Sequence, residues 1–199
     1  MALTYDVPTP QGNAVAKAIL RGWSTENIIH AQSAPPVNIF DQSLGSPNLF
    51  LAVVRPDVVP GHPVYLYGAQ YPGGKAFNAA AFTSPPIDPV TGLPTRQGDL
   101  PRNAVRGFGS AQWDFAVHRE FVIHESLKLQ FRAELFNVLN DPNFGPPIGD
   151  LSGFSGPFGL STQMLGQSLA GGNLGAGAFS QLYQLGGPRS IQLGLKFSF

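Results

Sequence analysis

Apolar and polar residues alternate along two strand-length segments of this chain, and very nearly so along a third. From Leu127 to Phe136, Leu127, Leu129, Phe131, Ala133 and Leu135 are apolar, and Lys128, Gln130, Arg132 and Glu134 lie between them. From Ser190 to Phe199, Ile191, Leu193, Leu195, Phe197 and Phe199 share one parity; Ser190, Gln192, Gly194, Lys196 and Ser198 share the other. From Trp113 to Phe121, Trp113, Phe115, Val117 and Phe121 oppose Asp114, Ala116, His118 and Glu120, with Arg119 breaking the apolar side near its end. Successive side chains of a strand point to opposite faces, so each segment predicts a strand with one apolar and one polar face. At about 3.3 Å per residue and a tilt of roughly 45°, a strand of this length crosses a bilayer core.

Two weaker strands are expected at Ala2–Val7, with Leu3, Tyr5 and Val7 in phase, and at about Arg21–Ala31 around Trp23 and Ile29, which alternates poorly. The expected strands are therefore about 2–7, 21–32, 111–122, 127–139 and 189–199. Residues 123–126 form a short hairpin connection. The long stretches 33–110 and 140–188 far exceed usual loops of about 12–15 residues or fewer. Short turns at one end and long loops at the other are the habit of transmembrane barrels. The fold expected is all-β: an antiparallel transmembrane β-barrel portion with long extracellular loops. Alternation by itself also fits a soluble or secreted β-rich binding module.

Composition narrows the choice. Charged residues make up 12% of the chain, against about 25% in ordinary soluble domains. Gly (24) and Pro (19) are abundant, as turns and loops require, while 11% aromatic residues, fifteen of them Phe, argue against disorder. The formal net charge is zero, so the electrostatic footprint of a nucleic-acid binder is missing. Without Cys, disulfide scaffolds, Cys-based zinc sites and thiol catalysis are excluded. Residues 151–188 carry no charge, but Gly, Ser and Gln interrupt them too often for a membrane-spanning helix. Met1–Tyr5 has no basic region leading into an apolar core, as an exported chain would carry, so the expectation is a segment whose true start lies upstream.

No enzyme chemistry is expected. Asp114, His118 and Glu120 share one strand face, with His124 and Ser126 nearby, but neither a His-Glu-x-x-His spacing nor a nucleophile elbow occurs. A polar barrel lumen explains the same residues. The Gly-rich 153–177 stretch lacks the Lys-Ser/Thr of a phosphate-binding loop and is read as a flexible loop. No cofactor or metal is expected.

Four groups of residues, in order, carry a resemblance. They are Phe77-Asn-Ala-Ala-Ala-Phe82; Gly98-Asp-Leu-Pro-Arg-Asn-Ala-Val-Arg-Gly107 followed by Trp113-Asp-Phe115; Leu129-Gln-Phe-Arg-Ala-Glu-Leu-Phe-Asn-Val-Leu-Asn-Asp-Pro-Asn-Phe144; and Gly187-Pro-Arg-Ser-Ile-Gln-Leu-Gly-Leu-Lys-Phe-Ser-Phe199. Gly22-Trp23 and Arg55-Pro-Asp57 fit the same pattern. Together they resemble the C-terminal barrel portion of Oar-like TonB-dependent transporters. The resemblance implies a barrel of about 22 strands filled by an N-terminal plug, of which this chain supplies only the last five or so, without the plug. It implies that a TonB-type energy transducer acts on the absent plug, and that the protein sits in the outer membrane of a Gram-negative-type bacterium and imports a nutrient into the periplasm. The last strand then runs toward the periplasm. Turn 123–126 and connection 8–20 become periplasmic, and both long loops become extracellular. Leu127, Leu129, Phe131, Leu135, Ile191, Leu193, Leu195 and Phe197 would face outer-membrane lipid. Lys128, Gln130, Arg132, Glu134 and Lys196 would face the lumen. Phe199 resembles the terminal aromatic signal read by the barrel-assembly machinery. Trp113 and Phe121 suit an interfacial girdle, and Arg96, Arg102, Arg106, Tyr65, Tyr67 and Tyr71 fall on the outer loop.

Overall fold

The computed structural model describes residues 1–9, 11, 13–44, 53–124, 127–169 and 186–199. They fall into two compact units, one drawn from Met1–Gln32, Ser110–Pro142 and Phe179–Phe199, the other from Ser33–Gly109 and Asn143–Ala178.

The first unit is a five-stranded antiparallel sheet in the order β1 (Ala2–Asp6), β2 (Trp23–Gln32), β9 (Ser110–Val122), β10 (Lys128–Phe136) and β11 (Ser190–Ser198). The intervening strands β3–β8 belong to the second unit. Neighbours in the sheet follow one another up and down, as the expected topology requires. Opposed residues in an antiparallel pair share a face, so the register builds each face row by row. One cross-strand row runs Tyr5, Thr25, Val117, Ala133, Leu193; another runs Asn27, Phe115, Leu135, Ile191. Trp23, Arg119, Phe131 and Leu195 form a third, and Phe121, Leu129 and Phe197 a fourth. This face is apolar except for Thr25, Asn27 and Arg119. The opposite face carries Glu26, Asp114, His118, Glu120, Lys128, Gln130, Arg132, Glu134, Gln192 and Lys196. The poor alternation around β2 now has a cause: Asn27 falls on the apolar face and Ile28 on the polar one. Asn27 is compensated there, because its Oδ1 accepts from Trp113 Nε1 at 3.1 Å.

Two strand ends differ from expectation. The strand expected over 127–139 is Lys128–Phe136. Leu127 lies before it, closing the turn through Leu127 N to His124 O at 3.0 Å and Ile123 N to Leu127 O at 2.9 Å; Glu125 and Ser126 of that turn lie outside the described residues. At the other end Asn137 adopts a left-handed backbone, φ 50°, which a strand cannot continue and which Asn tolerates better than most residues. Asn137 is 1% exposed. Its backbone N–H donates to Asp114 Oδ1 at 2.8 Å and its side-chain amide to Gly187 O at 2.7 Å and Asp141 O at 2.9 Å. Asn140, φ 54°, then accepts from Arg189 N at 3.1 Å. The Asn-Val-Leu-Asn stretch is thus a turn anchored by the buried Asn137 that hands β10 over to the chain entering β11.

Connection 8–20 contains a helix, α1 (Ala14–Leu20), which the alternation reading did not anticipate. Asn13 caps it by accepting from Ala16 N at 2.8 Å, a strong start signal before an Ala-rich run. Gly22, φ 77°, turns the chain from α1 into β2. A Cβ there would lie 2.7 Å from Glu120 O, so both its conformation and its close approach to β9 exclude a side chain.

The second unit corrects the expectation of two open loops. Three short antiparallel ribbons pair β3 (Pro36–Val37) with β8 (Val105–Arg106), β4 (Asp57–Val58) with β7 (Phe82–Thr83), and β5 (Tyr65–Tyr67) with β6 (Lys75–Phe77). They surround a core of Val37, Ile39, Phe77, Ala81, Phe82, Leu100 and Val105. The stretch read as a flexible Gly-rich loop contributes to it: Leu151 and Phe158 pack on this core. Phe158 meets Phe82 edge-on at 5.9 Å and Phe77 at 6.3 Å between ring centres, and a short helix α2 follows at Leu165–Leu169. The remainder of that stretch, 170–177, lies outside the described residues, as do residues 178–185.

Candidate functional site

The polar face of the sheet gathers most of the charged candidates. Arg132 is its hub. Its Nη2 reaches Glu26 at 2.9 Å and its Nε reaches Glu134 at 2.6 Å. Glu26 is on β2 and Arg132 on β10, so the pair spans the intervening β9. The residue between Glu26 and Glu134 in that row is Ala116, 8% exposed, and its small side chain leaves the path open. His118 Nδ1 stands 3.7 Å from the other oxygen of Glu26. Lys128 pairs with Glu120 at 3.0 Å, Ser24 donates to Asp6, and Gln130 and Lys196 sit opposite each other. A cleft of about 440 Å³ opens here, lined by Glu26, Ile28, Asp114, Arg132, Glu134 and Phe136 among others.

Opposite charges on this face pair with one another across the strands. Asp114 and Glu120 have structural partners, while the buried Nδ1 of His118 has no hydrogen-bond partner among the described residues. Asp114 accepts from Gln112 Nε2 and from Asn137 N, both at 2.8 Å, Glu120 holds Lys128, and His118 faces Glu26. Among the described residues no group of three or more His, Cys, Asp or Glu could hold a metal ion. Glu26 was not legible from the sequence because β2 alternates poorly around Asn27 and Ile28; the Ser24, Glu26, His30 spacing is the signal it leaves.

The apolar candidates share the opposite face. Leu193 and Leu195 are 67% and 68% exposed and Phe199 wholly so, an extensive uncovered apolar surface of the kind that marks a contact with something other than water. Leu129, Phe131 and Leu135 of β10 lie on the same face, and Trp113 stacks edge-on with Phe115 at 6.3 Å. Phe199 follows the end of β11 at Ser198.

In the second unit the Arg and Tyr candidates divide. Arg96 makes a two-pronged bridge to Asp57, both contacts 2.7 Å. Asp57 also accepts from Asp99 N at 2.9 Å, and the Arg96 bond leads in holding its carboxyl below the usual range. Tyr65 Oη accepts from Arg106 N at 2.9 Å, and its ring packs on Phe77. Lys75, which was not singled out, places its ammonium 5.3 Å from the Tyr65 ring and 5.0 Å from Phe108 and donates to the carbonyls of Arg106 and Gly107. Burial lowers its pKa. Asp150 is fully buried. Burial pushes its pKa up, but the hydroxyls and amides of Ser152 and Ser155 outweigh this and hold it below the ordinary value. Arg102 and Arg55 line a second cavity of about 500 Å³ with Ile39, Phe40, Val53 and Gln97.

The resemblance motifs thus turn out to be scaffold. Phe77, Ala81, Phe82, Leu100 and Val105 are core residues, and a Cβ on Gly98 would fall 2.1 Å from the Pro56 carbonyl. Set beside known families, the chain matches the outer membrane beta barrel domain over residues 1–192. The chain belongs to this family. No curated protein and no solved structure matches it. The outer membrane beta barrel domain accounts for the two unlike sheet faces and for a location in the outer membrane of Gram-negative bacteria. It also agrees with a structure in which, among the described residues, no helix is long and apolar enough to cross a membrane, because barrels cross with strands.

Proposed function

We propose that this barrel domain is the closing part of a TonB-dependent receptor that imports a nutrient into the periplasm. The observation that carries the reading is the five-strand meander itself. Its apolar face suits hydrocarbon, its salt-bridged polar face suits a water-filled lumen, and its short connections leave one end while the long folded ones leave the other. The ordered motifs that resemble Oar-like transporters point the same way. In this reading Leu129, Phe131, Leu135, Ile191, Leu193, Leu195 and Phe197 touch lipid. Lys128, Gln130, Arg132, Glu134 and Lys196 line the lumen beside a plug supplied by the rest of the receptor. The free edges of β1 and β11 pair with further strands, since unpaired backbone groups in hydrocarbon cost several kcal/mol each. The chain is a wall that guides transport, not an enzyme.

The test is uptake in the source bacterium of labelled carbohydrate fragments, metal chelates and peptides, with the gene present, deleted, and present in cells lacking the energy transducer. The reading expects one class to enter only when both gene and transducer are intact. Uptake that survives loss of the transducer would make the protein a passive pore. A protein that stays monomeric in water without detergent would instead be a binding module.

A further inference from the structure

We infer that α1 is an interfacial foot of the barrel, lying in the periplasmic leaflet with its apolar side among acyl chains and its basic residues at phospholipid phosphates. Two hydrogen bonds place the helix. Trp23 Nε1 donates to Ile19 O at 2.8 Å, and Arg119 donates to Ala18 O. Trp23 and Arg119 are opposed residues of β2 and β9 on the apolar face. The end of α1 is therefore pinned to the side of the sheet that meets lipid, not to the polar side.

Among the described residues, nothing buries the helix. None of its residues is buried, and Val15 and Ile19, one turn apart on one face, are 66% and 56% exposed. Leu20 is also exposed, but at i+3 from Lys17 it lies nearer that side of the helix. Lys17 projects from the opposite side of the helix, and Arg21 follows its end. A short amphipathic helix of this kind rests with its apolar face about 5–10 Å into the boundary between headgroups and chains, and the basic side chains meet phosphate there. Arg119 fits the same level. Its guanidinium lies 4.4 Å from the Phe121 ring and 5.3 Å from the Trp23 ring, so this cation on the apolar face is flanked by aromatic rings and bonded to a helix carbonyl. The occupant proposed is phospholipid because the surface is continuous with the apolar face of an outer-membrane barrel. The leaflet follows from the short connections being periplasmic, so the inference rests on the reading under Proposed function.

The absence of Cys makes the test direct. Single cysteines at Val15, Lys17, Ile19 and Leu193 are labelled with an environment-sensitive fluorophore in the barrel containing this chain, folded into phosphatidylethanolamine–phosphatidylglycerol vesicles with brominated acyl chains. Labels at 15 and 19 should be quenched nearly as strongly as the label at 193, and several times more than that at 17. Removing phosphatidylglycerol should weaken the quenching at 15 and 19, and Lys17→Gln with Arg21→Gln should abolish that dependence. Equal aqueous exposure at 15, 17 and 19, with 193 quenched, would overturn the inference alone. Loss of quenching at 193 would overturn the membrane-face reading beneath it. Quenching at 15 and 19 that ignores both phosphatidylglycerol and the double substitution would refute the phosphate contact.

Discussion

Asn137 and Asp150 show how single polar side chains set the course of the backbone. Each is buried, and each satisfies several donors or acceptors at once. A buried hydrogen-bonding group left without its partner costs about 1–3 kcal/mol, so neither position tolerates an apolar replacement of similar size. Asp150→Ala strands the Ser152 and Ser155 groups and should destabilise the 150–155 turn by about 1–3 kcal/mol, measured as faster protease cleavage or amide exchange in that segment. Asp150 also makes the turn sensitive to acid. Its pKa in the folded chain is below the unfolded value of about 3.9. Its contribution is therefore complete above that value and lost as pH falls through the lower folded one. Protease resistance of the turn should persist at pH 5 and fall only below the ordinary carboxylate range; a loss centred near pH 6 would assign the effect to another group.

At the scale of the strand, parity decides what a substitution costs. Leu129 and Gln130 are neighbours in β10 with opposite faces, Leu129 beside Phe121 and Phe197, Gln130 beside Glu120 and Lys196. Leu129→Arg puts a cation against hydrocarbon and should cost about 2–4 kcal/mol near the bilayer centre, whereas Gln130→Arg, close to Glu120, should cost little. Denaturant unfolding of the barrel in lipid measures both, and equal tolerance would reject the assignment of faces. β10 can tolerate Arg132 in its middle for the same reason: the guanidinium lies on the polar side, between two carboxylates.

At the scale of the molecule, the open edges of β1 and β11 are the consequential feature. Ladder groups at these edges need partners in lipid, so assembly must deliver the last strand to another strand. Under the proposed reading, Phe199, wholly exposed after the end of β11, is recognised during that step. Deleting Phe199 should slow formation of the heat-resistant barrel seen as a mobility shift on gels, while barrels already formed keep their stability; unchanged assembly would make Phe199 an ordinary terminal residue.

The period of the sequence by itself determined the strands at β9, β10 and β11 and their two faces, because side-chain parity is a local property of extended backbone. Arg132 and Glu134 could be placed on the polar face, and Leu193 and Phe197 on the apolar face, without any knowledge of their neighbours. Only the tertiary structure decided which residues meet across the sheet: Glu26 with Arg132 over Ala116, and Trp113 with Asn27. It alone showed that residues 33–44, 53–109 and 143–169 form a unit with a core of Phe77, Phe82 and Phe158, and that β10 stops at a left-handed Asn137. Those outcomes depend on contacts between residues far apart in the chain, and such contacts leave no period in the sequence.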